Sequence, residues 1–218
     1  SDVCSSDLAS LKHEGIVPVY DVGRAGAGTF IVSEFIDGPT LSQRMKTKPL
    51  AREESIRIVV QLAHTLHEAH RAGLVHRDIK PSNVLMRSDG SPAITDFGLA
   101  ITEFEQLTAK EGVVGTLAYM SPEQARGEGN LVDGRSDLYS LGVILFQLLT
   151  GRLPFQYQTP QDLLEQIIQR EVRPPRSIDD TTAPPVQEPV ALMKRSSSDF
   201  GELIARATAA CRSSPPRG

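Results

Sequence analysis

Tryptophan is absent from the 218 residues, and cysteine occurs only at Cys4 and Cys211, near opposite ends of the chain. Two cysteines so placed give no disulfide framework, and with no further ligands at close spacing they give no cysteine zinc site. No apolar stretch approaches the roughly 18 residues that a membrane-spanning helix needs. Nor does one sign of charge dominate. The formal net charge is −4 and the isoelectric point is near 5.8, so neither nucleic acid nor an anionic membrane surface is expected as a partner. No internal repeat is evident. What remains is an ordinary globular composition, long enough to bury a sizeable core.

Against that background one run stands out. Residues 76–83 read His76-Arg77-Asp78-Ile79-Lys80-Pro81-Ser82-Asn83, and Asp96-Phe97-Gly98 begins thirteen residues after Asn83. The first run holds an acid able to accept a proton, a lysine able to neutralise phosphate and an amide able to hold a metal. The second adds a carboxylate. Between them, Val84-Leu85-Met86 and Ala93-Ile94-Thr95 flank Ser88-Asp89-Gly90-Ser91, whose Asp-Gly step predicts a hairpin. Such a hairpin carries Asn83 and Asp96 to the same end of a strand pair, two oxygen ligands suited to a hard cation such as Mg²⁺.

These two linked motifs resemble the catalytic loop and metal-binding motif of eukaryotic-type (Hanks-type) protein kinases. The resemblance extends outward from them. Gly115-Thr116-Leu117-Ala118-Tyr119-Met120-Ser121-Pro122-Glu123 is similar to the end of the activation segment, with Ser121 where the family usually has Ala. Asp133-Gly134-Arg135-Ser136-Asp137 resembles the entry to the buried central helix of the large lobe, and Leu11-Lys12-His13-Glu14-Gly15-Ile16-Val17 the approach to the fourth strand. Bacterial serine/threonine kinases are the nearest match. The fold class implied is α+β, a kinase-like fold with a mostly helical large lobe and a remnant of the small-lobe antiparallel sheet. Residues 9–178 would form a partial kinase domain, divided into the small-lobe remnant at 9–36 and the large lobe at 37–178.

The glycine-rich phosphate loop and the small-lobe lysine of the family do not appear. Gly23, Gly26 and Gly28 follow the fourth-strand motif, where the family has a strand-to-strand turn. The chain is therefore expected to begin inside the domain and to be inactive by itself, an incomplete copy of an active parent. Residues 1–8 resemble a translated sequencing-adapter end, the alternative being a natural polar N-terminus, and are set aside. Residues 179–218 match poorly, and a frame slip, a contaminated end, divergence or disorder would all look alike there. The Arg that pairs with the Glu123 position in the family is not recognisable.

Periodicity supplies the remaining elements. Residues 16–22 and 30–35 are expected to form an antiparallel strand pair. Residues 52–72 form a helix, with Ile56, Val59, Val60, Ala63, Leu66 and Ala69 as its apolar positions and Gly73 as its stop. His64, His67 and His70 lie on it. Steps of three drift off one face and no cysteine or carboxylate set completes them, so solvated or hydrogen-bonded histidines are preferred to a metal site. Residues 138–149 are apolar nearly all round, which predicts a helix buried on every side. Leu163, Leu164, Ile167 and Ile168 mark one face of a last helix over 160–170.

By resemblance, Asp78 is the proton acceptor, Lys80 the partner of the γ-phosphoryl group, and Asn83 and Asp96 the Mg²⁺ ligands. The cofactors implied are ATP and Mg²⁺. The backbone of Glu34 and Ile36 would meet the adenine edge and Leu85 would pack beneath it, with Ser33 at the gatekeeper position. Arg77 would receive a phosphate from the activation segment, at Thr108 first and Thr102 second, and Thr116 would contact the catalytic pair. Asp137, at a helix start, would brace the catalytic loop, a role compatible with simple capping of its own helix. The implied activity is phosphorylation of protein serine and threonine hydroxyls in the cytoplasm, with membrane anchoring of the parent lying beyond what these residues can show. A pseudokinase or scaffold that keeps the fold for binding is the alternative.

Overall fold

The computed structural model describes residues 13–25, 28–97 and 114–170. Two antiparallel strands, β1 (Val19–Ala25) and β2 (Gly28–Ser33), come first. β1 lies three residues further along the chain than the expected 16–22, and β2 two residues before the expected 30–35; Pro18 sets where β1 begins. Its missing N–H cannot serve a ladder. Residues 15–17 instead pair with the second hairpin, Val17 N–H donating to Ile94 C=O (2.8 Å) and Ile94 N–H to Gly15 C=O (2.8 Å). The last bond beside β1–β2 runs from Glu34 N–H to Pro18 C=O (2.9 Å).

The chain then crosses into a helical body. Helix α1 (Leu41–Thr47) opens with a capping box in which Thr40 and Gln43 exchange side-chain and backbone bonds, satisfying two donors that a helix start leaves orphaned. Helix α2 (Arg52–Arg71) packs on α5 (Gly134–Thr150), and the hairpin of β3 (Val84–Met86) and β4 (Pro92–Ile94) lies against α2 through β4. Short helices α3 (Val114–Leu117) and α4 (Pro122–Ala125) precede α5, and α6 (Pro160–Gln169) follows it. No helix among the described residues is long and apolar enough to cross a membrane.

Helix α2 buries a different stripe from the one the apolar pattern suggests. Ile58, Val59, Leu62, Ala63, Leu66 and Ala69 face the core together with Ser55 and Thr65, while Ile56 and Val60 sit on the flank. Ser55 and Thr65 can be buried because each hydroxyl donates to the carbonyl four residues back, Ala51 and Gln61 respectively, at 3.0 Å. Helix α5 starts four residues earlier than 138, capped by Asp133, whose carboxylate accepts from Arg135 N–H at 2.8 Å. It stops at Gly151, whose φ of 70° closes the helix in the left-handed region. On α6, Leu163 and Ile167 are buried as expected and Leu164 and Ile168 are half-buried, but Gln166 joins the buried face by donating to Gln156 C=O (2.8 Å) and Asp162 (2.9 Å).

The main core joins α2, β3, β4 and one side of α5, and a second cluster forms between the other side of α5 and α6. Tyr119 packs against both, and its hydroxyl donates to Gln147 Oε1 at 2.6 Å. Burial pushes the Tyr119 phenol up to about 12, which favours the neutral form in the folded state. That contribution is complete below the unfolded value near pH 10 and is lost as pH rises through the folded one. Stability should therefore fall between about pH 10 and 12, and Tyr119→Phe should make urea midpoints less sensitive to pH across that window.

Between the two parts, Gly38 passes so close to β3 that a Cβ on it would lie 1.9 Å from the Met86 carbonyl oxygen. The approach is fixed by Met86 N–H donating to Pro39 C=O at 2.9 Å. Gly38→Ala must push the connection off the strand. A loss of roughly 1–3 kcal/mol in denaturant unfolding is expected, with Gly90→Ala in the same hairpin, strained by its φ of 82° but open in space, as the comparison that separates crowding from backbone strain.

Candidate active site

The loop of residues 76–83 is held from beneath by one buried carboxylate. Asp137, fully buried in the first turn of α5, accepts from His76 N–H (2.9 Å) at one oxygen and from Arg77 N–H (2.7 Å) at the other. His70 Nε2 adds a third partner at 2.8 Å. Of the two roles open to Asp137 from sequence, bracing the loop is the one observed, and Asp133 does the capping. His70 is thus hydrogen-bonded, His64 and His67 are exposed, and no cluster of three or more His, Cys, Asp or Glu able to hold a metal occurs among the described residues.

His76 is itself fully buried and oriented by both ring nitrogens. Its Nε2 lies 2.8 Å from the Thr95 carbonyl, which can only accept, so Nε2 carries the hydrogen. Nδ1 is then free to accept from Asp78 N–H at 3.2 Å. The ring meets Phe97 edge-on with centroids 4.6 Å apart. One neutral imidazole thereby ties the loop to the end of β4, and the packing role expected of His76 and Phe97 is accompanied by two hydrogen bonds.

Asp78, Lys80 and Asn83 form a contact cluster on this support. Lys80 Nζ lies 2.6 Å from Asp78 Oδ2 and donates to Thr116 Oγ1 at 3.3 Å. Asn83 Nδ2 donates to the Asp78 carbonyl (2.9 Å) and to its Oδ2 (3.0 Å). These bonds commit the amide NH₂ to Asp78, which turns Asn83 Oδ1 the other way. Asp96 follows Thr95, whose N–H donates to Asn83 C=O at 3.0 Å, so the two expected metal ligands do stand at one end of the hairpin. Asp96 is exposed and has a φ of 63°. The turn between the strands is built on Asp89, whose carboxylate accepts from Ser91 N–H (2.8 Å) and Oγ (2.6 Å), and on Gly90 at φ 82°.

Arg77 shares with Asp96 a left-handed backbone, φ 68°, unusual for a residue with a side chain. A conformation of this kind costs about 1–3 kcal/mol and persists only where its surroundings impose it. The Arg77 Nε is buried, and among the described residues it has no hydrogen-bond partner. Thr108 and Thr102, expected as its phosphate donors, lie outside the described residues.

The segment 34–38 borders the hairpin. Ile36 is buried with Val17 and Ala93, and Leu85 packs against that group, so Ile36 and Leu85 share one small apolar cluster. Glu34 approaches Arg87 at 3.7 Å. Ser33 ends β2 opposite Val19 and is exposed. On the other side, Glu123 accepts a hydrogen bond from Ser136 Oγ. That hydroxyl is a hydrogen-bond partner of this glutamate, which also interacts electrostatically with Arg135. Gln124 was not singled out from sequence, yet its Nε2 donates to Arg77 C=O at 2.6 Å. Only its place directly after Ser-Pro-Glu could have drawn notice to it.

The protein kinase domain family model matches residues 6–214. A Lactococcus lactis relative with the name "Probable serine/threonine-protein kinase PknB" is 45% identical over 150 residues, covering 68% of this chain and 24% of its own length. Serine/threonine-protein kinase PknB of Mycobacterium leprae is 38% identical over 178 residues, covering 78% of this chain and 28% of the relative. The same enzyme of Mycolicibacterium smegmatis is 38% identical over 179 residues, again 78% and 28%. The chain spans about a quarter of the length of these curated relatives. A buried brace, a linked Asp78–Lys80–Asn83 cluster and a matched family model together place the chain in the protein kinase domain family, within its bacterial serine/threonine branch.

Proposed function

We propose that the protein containing this chain transfers the γ-phosphoryl group of ATP to serine and threonine hydroxyls of proteins, with Asp78, Lys80, Asn83 and Asp96 as the working residues. The observation that carries the reading is the Asp78 carboxylate held between Lys80 at 2.6 Å and the Asn83 amide at 3.0 Å. Both contacts fall on Oδ2. Oδ1 is therefore the oxygen assigned to orient the acceptor hydroxyl and take its proton as the new P–O bond forms. Lys80, bridging to Thr116, offers an ammonium where charge gathers, and phosphoryl transfer asks mainly for such positioning and neutralisation.

The donor set fits Mg²⁺. Asn83 Oδ1 and the Asp96 carboxylate are hard oxygens at one end of a rigid hairpin, and two such ligands hold the ion well only together with substrate phosphates. When bound, Mg²⁺·ATP supplies the phosphoryl group and ADP as the leaving group. The Glu34 carbonyl, the Ile36 amide and the Leu85 side chain are assigned to the adenine, supported by the shared apolar cluster of Ile36 and Leu85. An ATP-dependent reaction of this kind belongs in the cytosol. Regulation is assigned to Arg77, whose buried Nε has no partner among the described residues and would be satisfied by a phosphate carried on the segment that contains Thr108.

Two substitutions test the assignment in the intact gene product, with dephosphorylated casein as acceptor. Asp78→Asn removes the proton acceptor and should lower kcat by about 10²–10⁴-fold, with ATP affinity within about threefold of wild type. Asp96→Ala deletes an ionised ligand and should instead weaken Mg²⁺-dependent nucleotide binding, read by calorimetry at fixed ATP and varied Mg²⁺. Equal transfer by wild type and Asp78→Asn would refute these roles. Nucleotide binding without any transfer by wild type would point to a scaffold that keeps the fold for binding.

The support beneath the site makes a separate prediction. Asp137→Ala leaves the His76 and Arg77 amides without their acceptor, and a loss of about 2–5 kcal/mol in urea unfolding is expected, together with loss of transfer. His70→Phe, which removes one of the three partners and leaves both amides paired, should have the smaller effect on both readouts.

A further inference from the structure

We propose that Gln124 is a positioning residue which locks the Arg77–Asp78 peptide, and with it the Asp78 carboxylate, to the helix that follows the activation segment. The inference rests on the assignment of Asp78 as proton acceptor and adds a residue to that machinery. Arg77 occupies the left-handed region at φ 68°. Its two backbone polar groups are both held from outside the loop. Its N–H donates to Asp137 Oδ1 at 2.7 Å, and its C=O accepts from Gln124 Nε2 at 2.6 Å. That carbonyl belongs to the peptide plane joining Arg77 to Asp78, so its direction fixes where the Asp78 Cα begins.

Gln124 can serve as a fixed donor because its own amide is oriented from the other side. Gln124 Oε1 accepts from Ser121 N–H at 3.0 Å and from Ser121 Oγ at 3.2 Å, while Gln124 N–H bonds back to Ser121 Oγ at 3.4 Å. Ser121 N–H can only donate and Arg77 C=O can only accept, so the assignment of the oxygen and the nitrogen is determined. Ser121 is fully buried. The serine that departs from the usual alanine of the family thus acquires a reason. It closes a capping box whose second member reaches the catalytic loop.

The test uses Gln124→Met, which keeps the length and loses every side-chain hydrogen bond, and Gln124→Glu, which keeps the acceptor for Ser121 and sets a carboxylate against the Arg77 carbonyl. Both are made in the intact gene product and read by casein phosphorylation and by hydrogen exchange. Both should lower kcat about 10- to 100-fold while the KM for ATP stays within about twofold. Exchange across residues 76–83 should quicken, with α2 and α5 unchanged. Ser121→Ala retains the donation to Arg77 and should lower kcat by less than about threefold. Unchanged kcat and unchanged exchange in both Gln124 variants would overturn the proposal, as would faster exchange throughout the protein, which would make Gln124 a general structural residue. If wild type transfers no phosphate at all, the assignment of function fails, and exchange across residues 76–83 still decides whether Gln124 holds the loop.

Discussion

A carboxylate with no contact with water governs this fold. Asp137 is removed from solvent by the packing of α5, and a buried charge of that kind is tolerated only when its oxygens are fully engaged. The groups available to engage it are the His76 and Arg77 amides and His70. The need to satisfy one ion in the interior therefore dictates the course of a loop that arrives from α2, some sixty residues earlier in the chain. Placement in the first turn of α5 helps, because the helix start favours negative charge. Charge-assisted bonds to backbone amides are shorter and stronger than neutral ones, which suits an anchor that must hold Arg77 in a strained conformation.

Rigidity passes outward from that anchor in discrete steps. His76, fixed by its amide, uses one ring nitrogen on the Thr95 carbonyl and the other on the Asp78 amide, and its ring meets Phe97. Asn83 returns to Asp78 from the far end of the loop and is tied to Thr95 through its own carbonyl. Each tie is modest taken singly, since a typical intramolecular hydrogen bond contributes about 0.5–1.5 kcal/mol. Their value lies in closing rings, so that the backbone around Asp78 cannot turn without breaking bonds to other elements. A fold subject to these constraints presents its polar groups already aimed, and in chemistry that depends on positioning this aim is most of the work.

Local signals in the sequence carried the parts of the site that lie near one another in the chain. The Asp89-Gly90 step declared its hairpin through turn chemistry, and from it the proximity of Asn83 and Asp96 followed. The apolar run of α5 declared burial. What stayed hidden were contacts that join distant segments through one polar atom each: Gln124 to the Arg77 carbonyl, Ser136 to Glu123, and His70 to Asp137. Such bonds leave no period in the sequence, because the partner is a backbone group common to every residue or a side chain equally at home in solvent. Pattern reading also passed over the buried Ser55, Thr65 and Gln166. A polar residue satisfied inside its own helix, as Ser55 and Thr65 are, or by a neighbouring loop, as Gln166 is, belongs to the core while reading as surface.

The bond between Asn83 and Asp78 sets a limit on what residue 83 can be. Its nitrogen gives two hydrogens, one to the Asp78 carbonyl and one to its carboxylate, while its oxygen faces away with lone pairs to offer, and an amide meets that demand where a hydroxyl, with a single hydrogen, does not. An aspartate would present two acceptors and bring like charges together, so that one of the pair would have to retain a proton to stay. Hard cations generally favour carboxylates over amides, yet at this position the neutral group is the one compatible with an ionised neighbour. The contrast between a neutral side chain at 83 and a carboxylate at 96, the two groups proposed to hold Mg²⁺, thus follows from the company Asn83 keeps, while Asp96 stands exposed at the end of the hairpin.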